Sequence, residues 1–147
     1  MMITKRDMIV AGLAACLTMT GMIAGSKVAV MDSAIFSWDD IPVKTTKTGA
    51  VRTFFRSQTA TLDELECHVT TLNPGQESHP PHKHPEEEIL IIKEGMAEAL
   101  VNGQMQKVGP GSVIFQAANQ MHSIRNAGDV PTTYHVFSWH SPGTMKK

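Results

Sequence analysis

The chain has 147 residues, of which 41% are hydrophobic and 18% charged, with a formal net charge of -1. That length fits one domain with one core, and a near-neutral balance without any run of lysine or arginine argues against a surface that tracks nucleic-acid phosphates. Of the two cysteines, Cys16 and Cys67, only Cys67 lies beyond the apolar N-terminal stretch, so a chain cleaved after that stretch holds no internal disulfide and carries Cys67 as a free buried thiol.

In chain order the first element is an address. Lys5 and Arg6 precede an uncharged, mainly apolar run over residues 8–25, and the small residues Ala24 and Ser26 then stand two apart, as a signal-peptidase site requires. Residues 4–9 are similar to the twin-arginine export motif with Lys5 in place of the first arginine, which leaves Sec export open. Leu13-Ala14-Ala15-Cys16 resembles a lipobox, although the residues after Cys16 stay apolar where a lipoprotein carries a polar tether. A retained membrane anchor is the other alternative, since the run nears the length that spans a bilayer. The expected organisation is a signal peptide or anchor over 1–26, an N-terminal arm over 27–48, a barrel over 49–141 and a tail over 142–147. The protein is expected to be exported, to the periplasm, with membrane contact only through its first segment.

Beyond the signal there is little helical periodicity and much punctuation by Gly, Pro and Asn, so the chain reads as all-β. Residues 50–57 (AVRTFFRS) and 65–72 (LECHVTTL) predict two strands, the second closed by Asn73-Pro74-Gly75. Residues 59–64 have room for one helical turn. Residues 88–94 and 96–101 predict strands meeting at Gly95, and Asn102-Gly103 marks a tight hairpin to the next extended piece. Gly109-Pro110-Gly111 turns the chain into 112–115, and 121–126 and 132–139 complete the series. Short strands with tight turns and no intervening helices imply an antiparallel sandwich or small barrel.

The stretch HPPHKHPEEEILIIKEG over residues 79–95 concentrates histidine and glutamate ahead of a run of aliphatics. In an extended strand residues two apart face one side, so His82, His84 and Glu88 aim into one cavity. Pro85 leaves Glu86 or Glu87 as substitutes for Glu88. His79 is cut off by Pro80-Pro81 and belongs at the rim, while His122 supplies a fourth ligand from a later strand. Three imidazoles and a carboxylate suit Fe(II), Mn(II), Co(II), Ni(II) or Zn(II) and leave positions open for a substrate. Leu90 and Ile92 share the ligands' parity and line the cavity. Ile89 and Ile91 then face outward, where the N-terminal strands or a second copy of the chain must cover them, and a homodimer is expected. Tyr134 is the single tyrosine, and an inward hydroxyl there serves as an acid or orienter. His135 and His140 read as surface or structural histidines, and Phe137 and Trp139 as core or interface.

Set in its surroundings, the pattern becomes more specific. Gly75, six residues, His82, one residue, His84, three residues, Glu88, six residues and Gly95 resembles the first motif of the cupin superfamily, its first gap longer by one. Gly111, five residues, Ala117, one residue, Asn119, two residues, His122, three residues and Asn126 resembles the second, with Ala117 replacing a proline and Asn119 a glycine. The resemblance implies a single-domain jelly-roll β-barrel of antiparallel strands, of the conserved-barrel type, with His82, His84, Glu88 and His122 as metal ligands.

For function the resemblance implies a metal-binding protein and leaves the reaction open. The specific expectation is a small-molecule oxidoreductase of the Fe(II) or Mn(II) dioxygenase type, with Zn, Ni, Co or Cu as alternative ions and with Glu88 and Tyr134 as candidate catalytic residues. Dioxygen chemistry is favoured because few other inward proton-transfer groups are evident, namely Glu86, Glu94, Tyr134 and His79. The alternatives are a metal-assisted isomerase or lyase acting on a sugar acid, a non-catalytic module that binds a small molecule such as a carbohydrate, and a barrel whose metal only braces the sheets. The partner in each functional reading is a small molecule, with no nucleic acid.

Overall fold

The structure, a computed structural model, describes residues 29–143. The expected export segment, including Cys16, lies outside the described residues. In chain order the strands are β1 (Lys44–Thr45), β2 (Gly49–Ser57), β3 (Glu64–Leu72), β4 (Glu87–Glu94), β5 (Ala97–Val101), β6 (Gln104–Val108), β7 (Val113–Gln116), β8 (Ser123–Asn126) and β9 (Thr132–His140). A single 3-10 turn, Trp38–Asp40, is the helical content of the described residues. The strands pair antiparallel throughout, in a six-stranded sheet of order β1-β2-β3-β9-β4-β7 and a three-stranded sheet of order β6-β5-β8.

Local chemistry sets the corners. Asn102 and Gly103 both adopt positive φ, 50° and 77°, the geometry of a two-residue turn whose twist matches the β5–β6 hairpin it joins. At Gly95 (φ 80°) the β4–β5 corner passes so close to β9 that an added Cβ would stand 2.5 Å from Thr132 Oγ1 and 2.7 Å from the Pro131 carbonyl, so only glycine fits.

The core lies between the sheets. Leu90 and Ile92 of β4, Ile114 of β7, and Tyr134 and Val136 of β9 meet Ala97, Ala99 and Ile124 of the small sheet. Their alternates face outward, and on β7 Val113 and Phe115 remain 64% and 53% exposed. An irregularity in β2 between Thr53 and Phe55 breaks its register against β3. There Phe54 meets Trp38 and Phe55 meets Phe36, with ring centroids 6.1 and 5.0 Å apart. Arg52 Nη1 donates to the Ile41 carbonyl at 2.5 Å, and Trp38 lies under Lys93 Nζ at 4.2 Å. The arm is thus strapped over part of the large sheet's outer face.

Two expectations change. Residues 59–63 form no helical turn, because the Thr59 hydroxyl accepts the Leu62 N–H at 3.0 Å and closes a tight side-chain turn instead. The strand expected from 121 begins at Ser123, because His122 is engaged in a separate bridge to His82.

Candidate metal centre

The segment that follows β3 runs along β8 as an irregular edge of the small sheet. Asn126 N–H donates to the Gln76 carbonyl at 2.8 Å, and His82 and His122 exchange both backbone bonds, at 3.0 and 2.9 Å. Between Glu77, which bridges Arg125, and His82, which bridges His122, the register slips by two residues. Pro80 and Pro81 fall in that slip, and having no N–H they cannot join a ladder. A few residues on, the Asn119 N–H donates to the His84 carbonyl at 2.7 Å, so the turn of the second motif holds the backbone of the first. Asn119 adopts φ 59°, the left-handed conformation that a glycine normally supplies and asparagine tolerates.

His82, His84 and His122 come together here, each with a ring nitrogen within 4.8 Å of the others. Ring centroids stand 4.7 Å apart for His82–His122 and His84–His122, and 5.4 Å for His82–His84. Strand parity is not what aligns them. His82 and His84 precede β4, His82 paired with β8's flank, while Glu88 lies in the six-stranded sheet. The chain crosses from one sheet to the other between them, and that crossing brings the motif to one point.

Two of the rings are tied to their own backbone segments. The Nδ1–H of His122 donates to the Gln120 carbonyl at 2.8 Å and that of His82 to the Pro80 carbonyl at 3.0 Å, which leaves each Nε2 its lone pair. His122 Nε2 is buried with no hydrogen-bond partner. Burial holds the His122 imidazole below its ordinary pKa, more than the Gln120 bond lifts it, and so favours the neutral ligand form. A buried lone pair beside two more imidazoles is a donor set that could hold a divalent transition metal.

Glu88 Oε1 stands 3.5 Å from His84 Nε2, beside the group of three histidines but outside it. Tyr134 is buried, and desolvation pushes its phenol up to about 12 against the opposing influence of Ser78 and Thr70, so it stays protonated. His79 is exposed, its ring edge-on to His82 at 5.4 Å, a rim position. Glu87 pairs in register with Trp139 and Glu88 with Ser138, so Glu87 takes the opposite face from Glu88. Glu86 turns from the cavity to His140, whose Nε2–H donates to Glu86 Oε1 at 2.6 Å. Burial works against the Glu86 charge, yet the bonds from His140 and the backbone and the nearby His84 outweigh it and lower its pKa. His140 is 8% exposed, a buried partner rather than a surface histidine. Glu94 is no inward acid: its side chain is 61% exposed and paired with Lys93 at 2.8 Å, beyond an irregularity in β4.

The cavity at the histidines has a volume of about 80 Å³ and is walled by Glu88, Leu90, Gln116, Tyr134 and Val136. His68 also lines it, with Nδ1 2.9 Å from Glu66 Oε1. That pair was missed from sequence, although the alternation of Glu66, His68 and Thr70 with the buried Cys67 and Val69 carried the signal. Thr70, Ser78, His79 and His68 are shared with a wider groove of about 570 Å³ that reaches Thr53 and Lys47.

Residues 68–138 match the cupin domain family. Over that segment the barrel is similar to cupins. A curated relative, the HTH-type transcriptional activator RhaS of Mannheimia succiniciproducens, is 34% identical over 58 residues, which are 40% of this chain and 22% of that protein. The chain therefore spans well under two thirds of that relative. Among solved structures, a predicted oxalate decarboxylase from Thermotoga maritima is 20% identical with a TM-score of 0.59, over 73% of this chain and 99% of that one. A sugar phosphate isomerase of the cupin superfamily from Silicibacter pomeroyi is 18% identical with a TM-score of 0.59, over 74% and 77% of the two chains. At such identities the likeness is one of fold.

Proposed function

We propose that this protein is a metal-dependent enzyme that moves a proton on a small, oxygen-rich substrate. His82, His84 and His122 hold the ion, Glu88 completes the set, and Fe(II) or Mn(II) is favoured among the ions that mixed nitrogen and oxygen donors accept. When bound, the metal supplies Lewis acidity toward a carbonyl or carboxylate oxygen. The observation that carries the reading is His68 on the cavity wall, its Nδ1 2.9 Å from Glu66 Oε1 and outside the ligand group. Glu66 holds His68 Nδ1, which frees Nε2 to take or return a proton. Tyr134, kept neutral by its burial, donates a hydrogen bond to a substrate oxygen, and Leu90 and Val136 exclude water. The hydroxyls of Thr53, Thr70 and Ser78, with Lys47 at the far end of the groove, suit a hydroxylated acid. This favours an isomerase or lyase acting on a sugar acid.

The dioxygenase reading rested on a scarcity of proton-transfer groups, which His68 removes. What still supports it is the apolar wall of Leu90, Ile124 and Val136 around a small cavity.

Metal-loaded protein incubated with aldonic and uronic acids, followed by NMR, and with phenols and diketones in an oxygen electrode separates the two. His68→Gln is expected to lower sugar-acid turnover by about 10²–10⁴-fold with the metal content intact. Turnover unchanged by His68→Gln would remove the proton-transfer role, and oxygen uptake in its place would establish the second reading. Tight binding without turnover of any substrate would make the barrel a binding module.

A further inference from the structure

A line of alternating carboxylates and nitrogen-bearing side chains leads from the metal centre to the surface. His84 Nδ1 faces Glu86 Oε2 at 2.9 Å, Glu86 Oε1 accepts from His140 Nε2 at 2.6 Å, His140 Nδ1 lies 3.8 Å from Glu64 Oε1, and Glu64 Oε1 meets Arg56 Nη2 at 2.9 Å. His82 and His122 differ from His84 in a telling way, because their Nδ1 atoms bond carbonyls of their own backbone segments. His84 alone of the three turns Nδ1 to a side chain. That contact is close but poorly aligned, since neither His84 Nδ1 nor Glu86 Oε2 has a well-directed hydrogen-bond partner, so what holds Glu86 decides where it sits. What holds it is His140, buried at the end of β9 and 54 residues away in sequence.

We infer that His140 is a positioning residue for the metal centre: it fixes the Glu86 carboxylate so that the carboxylate sets the tautomer and orientation of His84. Glu86 then keeps the proton of His84 on Nδ1 and Nε2 free as the donor, and strengthens that donor. Glu64 and Arg56 brace His140 from its other nitrogen. The inference rests on the proposed metal reading, and half of its test needs no metal.

In the metal-free protein, long-range 1H–15N spectra report the His84 tautomer. The wild type is expected to show Nδ1–H, His140→Leu a mixture of tautomers, and His140→Gln, whose amide still donates to Glu86, the wild-type form. In Co(II) titrations His140→Leu is expected to bind about 10–100-fold more weakly with a shifted visible spectrum. The loss should vanish when His140→Leu is made in a Glu86→Ala background. An unchanged His84 tautomer in folded His140→Leu, or a Co(II) loss that adds to that of Glu86→Ala, would overturn the inference and reduce the His140–Glu86 bond to a tie between β9 and the loop. A wild type that shows the Nδ1–H tautomer but takes up no Co(II) would instead sink the metal reading while leaving the positioning of His84 standing.

Discussion

At the scale of single residues, the centre separates histidines that look alike in sequence. His79, His82 and His84 stand within six positions of one another, yet only the last two join His122. The reason is the backbone: His82 is pinned by two bonds to His122 and His84 by one from Asn119, whereas the His79 side chain is exposed at the rim. His84→Ala and His122→Ala are therefore expected to abolish stoichiometric metal measured by mass spectrometry of the purified protein, and His79→Ala to keep most of it. Equal loss from all three would mean that the ion sits elsewhere. The histidines and their spacing could be read from the sequence because HXH and a distant histidine carry a spacing signature. His68 carried only the fainter signal of its alternation with Glu66 on one strand, and His140 carried none, because its carboxylate partner Glu86 is 54 residues away and only the assembled fold sets the two side by side.

At the scale of elements, the strands were legible wherever turn chemistry bounded them. Asn102-Gly103 and Gly95 each force one conformation, and β4, β5 and β6 begin and end beside them. What sequence patterning misassigned was the path into β4, where an argument from alternation predicted a convergence that a sheet crossing produces. Pro80, Pro81 and Pro85 mark that crossing, since none of them donates to a ladder. The last residue of the second motif has a structural task of the same kind. Asn126, 2% exposed, donates from Nδ2 to the carbonyls of Leu72 at 3.0 Å and Val130 at 2.8 Å, and accepts the Gly128 N–H at 2.9 Å on Oδ1. One side chain thus ties the ends of β3 and β8 to the turn before β9. Asn126→Leu strands three backbone groups at about 1–3 kcal/mol each where they stay buried, so a loss of roughly 3 kcal/mol or more is expected in urea unfolding. Asn126→Asp should recover little, because a carboxylate facing two carbonyls donates to neither. A loss under about 1 kcal/mol for Asn126→Leu would show that water replaces the side chain.

At the scale of the whole molecule, the two faces of the large sheet have different fates. The inner face is consumed by the core and the candidate metal centre, and the outer face is only partly covered. Trp38 shields the side of His135, which pairs in register with Ile91, while Val113 and Phe115, the partners of Ile91 and Ile89 on β7, stay open. Ile89 and Ile91 were read from sequence as outward and in need of cover, and the arm supplies cover toward β2 and β3 but not toward β7. Among the described residues β7 is also the edge of its sheet, so an apolar strip and a row of backbone groups that no described strand pairs lie side by side, the arrangement that natural proteins either charge or cover. A second copy, related by a two-fold axis that sets β7 against its equivalent, is proposed to cover both at once. Light scattering coupled to size exclusion is then expected to give twice the chain mass for the wild type and the single mass for Phe115→Glu, which places a charge in the strip without touching the histidines. Metal content should be equal in the two, because Phe115 is 53% exposed and alternates with Gln116, the register partner of Glu88, so its side chain takes the opposite face from Glu88. A wild type that runs at the single mass across the micromolar range would instead leave the strip for another occupant, and a Phe115→Glu variant that stays dimeric would move the interface away from β7.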